Sequence, residues 1–190
     1  MELVFATSNL HKLEEAKQIF SLRAPSIAIE SYGGPSPVES GVSFLENARI
    51  KALAAFEATG KTSFADDSGL CVDVMGGAPG IFSAIWAGGR SDSENRDLLL
   101  SQLADIPSEH RAASFVCTVS LVGKDLDLSF TGVWPGTVSF EAKGQAGFGY
   151  DPIFIPEGFE LTAAELEPAL KNSMSHRFLA MSQLADFLAG

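Results

Sequence analysis

Three S/T-x-x-E patterns stand where a helix would begin: Ser43 with Glu46, Ser91 with Glu94, and Thr162 with Glu165. In this pattern a hydroxyl and a carboxylate each satisfy a backbone amide that the first helical turn leaves unpaired, so each predicts a helix start. Between and around them lie short apolar runs bounded by turn residues, read as strands at 2–6, 26–30, 62–66, 69–74, 113–122, 127–140 and 152–155. A first helix is predicted over "LHKLEEAKQIFSLR", with Asn9 as its N-cap and Leu10, Leu13, Ala16, Ile19 and Phe20 inward. A second runs over about 44–58 with Phe44, Ala48, Ala52, Ala55 and Phe56 inward, and "SMSHRFLAMSQLADFLA" closes the chain as a third. The two long strands around "GKDL" read as an antiparallel hairpin. The expected fold is therefore α/β, a mixed central sheet with flanking helices.

At 190 residues, with no internal repeat and no linker-like stretch, residues 1–190 read as a single folding domain with at most two lobes. No apolar run approaches the roughly 20 residues of a membrane span. The start "MELVFATSN" lacks the basic and apolar regions of a signal peptide, so the expected location is cytoplasmic. Cys71 and Cys117 sit in strand-like runs without C-x-x-C spacing and are expected as buried, reduced thiols. The net charge of −11 argues against a nucleic-acid surface. It leaves room for a small anionic ligand, given a local basic cluster and a divalent cation.

Five segments carry candidate chemistry. "ATSNLHK" passes from strand to helix, where backbone amides and the helix dipole favour an anion; Thr7, Ser8 and Asn9 add donors and Lys12 a positive charge. "ADDSG" places Asp66, Asp67 and Ser68 where a strand is expected to end. That is either a polar turn or a site for a cation such as Mg2+, which prefers carboxylate oxygens. Because neighbouring strand residues face opposite ways, the two carboxylates cannot both point at one ion unless the strand has already ended, which makes one of them the better catalytic candidate. "GQAGFGYDP" and "GGAPG" are glycine-rich, implying tight turns or close backbone approach. Phe148, Tyr150 and Asp151 in the former suit a flat base. "KNSMSHR" supplies Lys171, His176 and Arg177, as charge partners of phosphate or as donors to a base carbonyl.

In order and spacing, "ATSNLHKLEE", "ESGVSFLENARIKA", "ADDSGLCVDVMGGAPGIFSA", "GFGYDPIF" with "TAAEL", and "KNSMSHR" resemble the Ham1-like inosine/xanthosine triphosphate pyrophosphatases over nearly the whole chain. The resemblance implies hydrolysis of non-canonical purine nucleoside triphosphates (ITP, dITP, XTP) to monophosphate and pyrophosphate. It implies a Mg2+-dependent homodimer with two lobes and an active-site cleft between them. By matching position, Asp67 would be proton acceptor and metal ligand, with Glu39 a second metal ligand. Thr7, Ser8, Asn9, Leu10, His11 and Lys12 would hold the triphosphate, with Lys51 a further phosphate contact. Ser68, Phe148, Gly149, Tyr150, Asp151 and Lys171 would contact the nucleotide, and His176 with Arg177 would read the base. Asp66 would be a support. Many members have glycine at the position of Ser8, and some have two acidic residues where this chain has Val38 and Glu39, which makes Glu46 the alternative metal ligand. A nucleotide-binding regulatory module and a Maf-like pyrophosphatase are the competing readings.

Overall fold

The computed structural model describes residues Met1 to Gly190. Six strands form one sheet in the order β2-β1-β3-β4-β5-β6, and the chain divides into two compact units. No helix is long and apolar enough to cross a membrane.

The first unit comprises residues 1–67, 117–132 and 176–190. Its strand β1 (Glu2–Phe5) lies between β2 (Ala28–Ser31) and β3 (Ser63–Val72) and pairs parallel with both. Side chains alternate across a strand, and the alternation decides which helix each one meets. Leu3, Phe5 and Phe64 join the cluster of Leu13, Ala16, Ile19 and Phe20 from α1 (Leu10–Arg23) and Ala180, Met181, Leu184 and Ala185 from α5 (His176–Ala189). The rings of Phe5 and Phe64 stack at 4.4 Å between centroids. Burying one such ring stabilises the fold by roughly 1.5–3 kcal/mol. Val4, Ala6 and Ala65 face the other way, against Ala52 and Ala55 of α2 (Phe44–Thr59).

The second unit comprises residues 68–116 and 133–175. Its core joins Leu70 and Val72 to Leu99 of α3 (Asp92–Gln102) and to an aromatic group. In that group Phe154 packs edge-on to Phe115 at 4.7 Å and tilts against Trp134 at 5.2 Å. Strand β6 (Phe154–Pro156) pairs antiparallel with β5 (Leu126–Val138), and α4 spans Pro168–Met174. Buried Arg111 has no carboxylate partner; its guanidinium donates to the carbonyls of Leu103, Ile106, Val138 and Ser139 and lies 4.4 Å from the ring of Phe140.

Several expectations are met closely. Asn9 caps α1, its side chain accepting from the amides of His11 and Lys12. Ser43 and Ser91 cap α2 and α3. The hairpin joins β4 (Ala112–Gly123) to β5 through Lys124 and Asp125. Both cysteines are free, but Cys117 is buried and Cys71 only partly so.

Others need correction. The strands expected at 62–66 and 69–74 are one strand, β3, so Asp66, Asp67 and Ser68 lie in mid-strand with no turn. Leu10 is 74% exposed, because it opens the first turn beyond the covered stripe of α1. The Thr162 pattern closes a turn and starts no helix: its hydroxyl donates to Lys143 O and Glu165 Oε2, and α4 begins only at Pro168. The closing helix breaks at Ser175, whose backbone is extended, and restarts at His176. "GGAPG" is explained as a turn, with Gly77 N donating to Val72 O and Val72 N to Ala78 O.

Candidate active site

The alternation along β3 sends its two aspartates to opposite faces. Asp66 follows Phe64 toward α1 and α5. Its Oδ2 accepts from Lys12 Nζ at 2.9 Å and from Arg177 Nε at 3.2 Å, with Cys117 Sγ at 3.9 Å. Arg177 Nη1 donates in turn to Glu15 Oε2 of α1 at 2.9 Å. Asp66 and Arg177 are both about 3% exposed. Burial opposes the ionised form of Asp66, but Lys12, Arg177 and Lys51 outweigh it and hold the carboxyl far below the usual carboxylate range. Burial likewise opposes the Arg177 cation, and Asp66 and Glu15 restore it. Burial and then Asp66 push the Cys117 thiol up, so it is an inert core group. Asp66 is thus an ionised hub joining the first turn of α1 to the start of α5.

Asp67 follows Ala65 toward α2. Its Oδ1 lies 3.2 Å from Lys51 Nζ, and its Oδ2 accepts from Asn47 Nδ2 at 3.4 Å. Asn47 and Lys51 are four residues apart on α2, hence on one face. Lys51 also reaches Glu39 Oε1 at 3.3 Å. Asn47 Oδ1 takes the amide of Gly41 at 2.9 Å, fixing the segment that carries Glu39. Burial raises the pKa of Asp67 above its ordinary value; Lys51 pulls it back and Glu39 pushes it further up. Burial disfavours the Lys51 cation, yet Asp67, Asp66 and Glu39 together raise its pKa. Glu46 points elsewhere, taking the amide of Val42 at 2.9 Å while Ser43 caps its own amide.

The donor set fits Mg2+. Two carboxylates, Asp67 and Glu39, converge on one ammonium, so they already share a cation position, and no third His, Cys, Asp or Glu completes a protein-only cage. Mg2+ is commonly held by one or two carboxylates, with waters and substrate phosphates filling its shell.

At the turn before α1, Thr7 Oγ1 accepts the amide of Asn9 at 3.1 Å, and Asn9 Oδ1 accepts those of His11 and Lys12, so the turn is fixed by its own side chains. Ser8, Leu10 and His11 are exposed beside them.

In the second unit, Asp151 is buried. Its Oδ2 accepts from Phe148 N at 3.0 Å and from Lys171 Nζ at 2.5 Å. The Lys171 ammonium also lies 5.4 Å from the centre of the Phe148 ring, which is 40% exposed. Tyr150, in contrast, is core: it is 4% exposed and its hydroxyl donates to Ser83 O at 2.9 Å. A Cβ at Gly147 would fall on the Asp151 carboxylate, and its φ of 76° is left-handed, so only glycine closes this loop. Ser68 lies at the start of this unit, half-buried on β3, and His176 opens α5 in the first unit, buried beside Arg177.

The sequence reading did not single out Glu15, Asn47, Asp92, Arg96 or Arg111. Two carried a signal: Glu15 stands three residues after Lys12 and Asn47 four before Lys51, each sharing a helix face with a candidate lysine. Nothing local marks the other three.

The Ham1 family model matches residues 3–187. A dITP/XTP pyrophosphatase of Leifsonia xyli is 50% identical over 190 residues, covering 99% of this chain and 96% of that protein. The dITP/XTP pyrophosphatase of Streptomyces coelicolor is 47% identical over 96% of this chain and 94% of its own length. Among solved structures, a HAM1 protein from Coxiella burnetii superposes with a TM-score of 0.91 at 39% identity, covering 99% of this chain and 98% of that one. The Staphylococcus aureus Ham1 protein gives 0.88 at 36% identity, covering 99% and 98%. With its six-stranded mixed sheet, its paired aspartates and its capped strand-to-helix turn all within the matched span, this chain belongs to the Ham1 family.

Proposed function

We propose that the protein hydrolyses non-canonical purine nucleoside triphosphates, ITP, dITP and XTP, to the monophosphate and pyrophosphate. The observation that carries this is the division of labour across β3: one carboxylate is neutralised by buried cations, and the other, largely buried, shares one lysine with Glu39 and has its pKa raised. A site that merely sensed a nucleotide would have no use for the second.

Asp67 and Glu39 would hold Mg2+, which when bound offsets phosphate charge and favours attack on phosphorus. Asp67 positions a water and takes its proton, a role suited to a carboxylate whose pKa is shifted toward neutrality. Thr7, Ser8, Asn9, Leu10, His11 and Lys12 receive the triphosphate at the positive end of α1. Lys12 and Lys51 exchange their carboxylate partners for phosphate oxygens and neutralise the departing pyrophosphate. Ser68, Gly149 and Lys171 contact the nucleotide. Phe148 offers its exposed ring to the base, with Tyr150 and Asp151 fixing the loop from within. His176 and Arg177 donate to the 6-oxo edge; adenine presents a donor there, and each such mismatch costs about 1–3 kcal/mol. The reading includes a cytoplasmic homodimer, for which light scattering on the purified protein is the check of assembly.

The test is a panel of nucleoside triphosphates assayed for product identity with and without Mg2+. Pyrophosphate and monophosphate from ITP, dITP and XTP, lost on chelation and regained on adding Mg2+, are expected. Orthophosphate with diphosphate, release confined to other modified nucleotides, or binding without release would each overturn the reading.

A further inference from the structure

The loop that carries Phe148 is gripped from outside the matching motifs. Asp92 and Arg96 stand four residues apart on one face of the first turns of α3. The Asp92 Oδ2 accepts from the amide of Gly149 at 2.7 Å, and Arg96 Nη1 donates to the carbonyl of the same residue at 2.7 Å. Both polar groups of one residue are therefore held by charged side chains of one helix. Gly149 has a φ of 57°, a conformation that other residues resist, and it separates exposed Phe148 from buried Tyr150. Tyr150 is tied down by Ser83 O, and Phe148 N by Asp151 on its other side. Gly149 is thus the joint between the anchored Tyr150 and the exposed ring of Phe148, and α3 holds that joint by both of its polar groups.

We propose that Asp92 and Arg96 are positioning residues for base recognition, acting through Gly149 to set the plane of the Phe148 ring against the purine. This rests on the assignment of Phe148 to the base. Neither side chain need touch the nucleotide, and neither takes part in the chemistry at phosphorus. Their loss falls on base affinity and on discrimination between bases, leaving the rate of the chemical step in place.

The comparison is Asp92→Ala against Asp92→Asn, with Arg96→Ala as the second half of the grip. An asparagine at 92 retains an oxygen that accepts the Gly149 amide, so it is the rescuing variant. Losing a charge-assisted hydrogen bond to a loop amide should raise KM for ITP roughly tenfold in Asp92→Ala, with kcat within about twofold of wild type and a similar fall in the ITP-to-ATP preference. Asp92→Asn should stay within about threefold of wild type. Calorimetric binding of inosine monophosphate and adenosine monophosphate to the same proteins reads the grip without turnover, so a failure of the hydrolysis assay in wild type counts against the proposed function and not against this inference. Thermal unfolding of each variant separates a displaced loop from a failed fold. Unchanged KM, monophosphate affinity and base preference in folded Asp92→Ala and Arg96→Ala would overturn the proposal. So would a loss in Asp92→Asn equal to that in Asp92→Ala, or a fall in kcat alone.

Discussion

The two faces of β3 carry the same residue type at adjacent positions and put it to opposite uses. On the face covered by α1 and α5, Asp66 is buried against two cations that keep it ionised. On the face covered by α2, Asp67 shares a single lysine with Glu39 and keeps some contact with solvent, its pKa displaced upward. A strand's period of two does this with no turn or insertion: one step along the backbone changes which helix a carboxylate meets. The Asp66 face fixes the positions of Lys12 and Arg177, and the Asp67 face leaves a carboxylate with one shared lysine partner.

The largest expected effect breaks the comparison on its reactive side. On the proposed mechanism Asp67→Asn removes the proton acceptor and a metal ligand together, and general-base action alone is worth roughly 10²–10⁴ in rate. Pyrophosphate release from ITP should fall by at least that factor while the variant folds and still binds nucleotide. Equal turnover in Asp67→Asn and wild type would remove Asp67 from the mechanism.

Asp66→Asn strikes the other face and should register first in stability. Removing one partner of a buried ion pair leaves the other charge uncompensated, at about 3–5 kcal/mol. Here Arg177 keeps Glu15 but loses Asp66, and Lys12 loses its anchor. Denaturant unfolding at neutral pH should show a lowered midpoint, with a raised KM in whatever remains active; an unchanged midpoint would mean that Asp66 is dispensable.

Acid titration sharpens the contrast, because the two groups act with opposite sign. Asp66 has a folded pKa below its ordinary 3.8, so the unfolded chain binds more protons. Its stabilisation is present above about pH 4 and is lost as pH falls through the folded value. Asp67 has a folded pKa above 3.8, so the folded chain binds more protons, and its contribution is favourable at low pH and fades as pH rises through that folded value. Relative to wild type, Asp66→Asn should lose the acid-side decline in stability, whereas Asp67→Asn should gain stability as pH rises above 4. Parallel pH–stability curves for the two variants would erase the distinction between the faces.

Much of this arrangement was legible beforehand. Asn9, Ser43 and Ser91 are local caps whose partners lie within four residues, so their pattern is self-sufficient. The period-two argument parts the aspartates only where the strand runs on through them, as β3 does. Their place in mid-strand was not legible: aspartate disfavours strands, and what overrides the preference here is ion pairing with Lys12 and Arg177, 54 and 111 residues away. Thr162 failed as a helix start for a related reason. Its hydroxyl is spent on Lys143 O, and Pro168 biases Glu167 toward extended backbone, so the helix waits for the proline. The grip on Gly149 joins segments 53 and 57 residues apart through side chains that, in sequence, look like ordinary helix-surface charges.

The smallest effect concerns which glutamate accompanies Asp67, since Glu39 and Glu46 were both open as metal ligands. Glu39 shares Lys51 with Asp67, whereas Glu46 takes the Val42 amide at the start of α2. Glu39→Gln should therefore raise the Mg2+ concentration needed for half-maximal activity while leaving the unfolding midpoint in place, because its side chain is 43% exposed. Glu46→Ala should do the reverse, costing about 1 kcal/mol as one backbone amide loses its acceptor, with the Mg2+ requirement unmoved. Glu46→Gln keeps an oxygen for that amide and should recover the stability. A Mg2+ titration shifted by Glu46→Gln and untouched by Glu39→Gln would exchange the two assignments and place the metal nearer the helix start than the Lys51 geometry puts it.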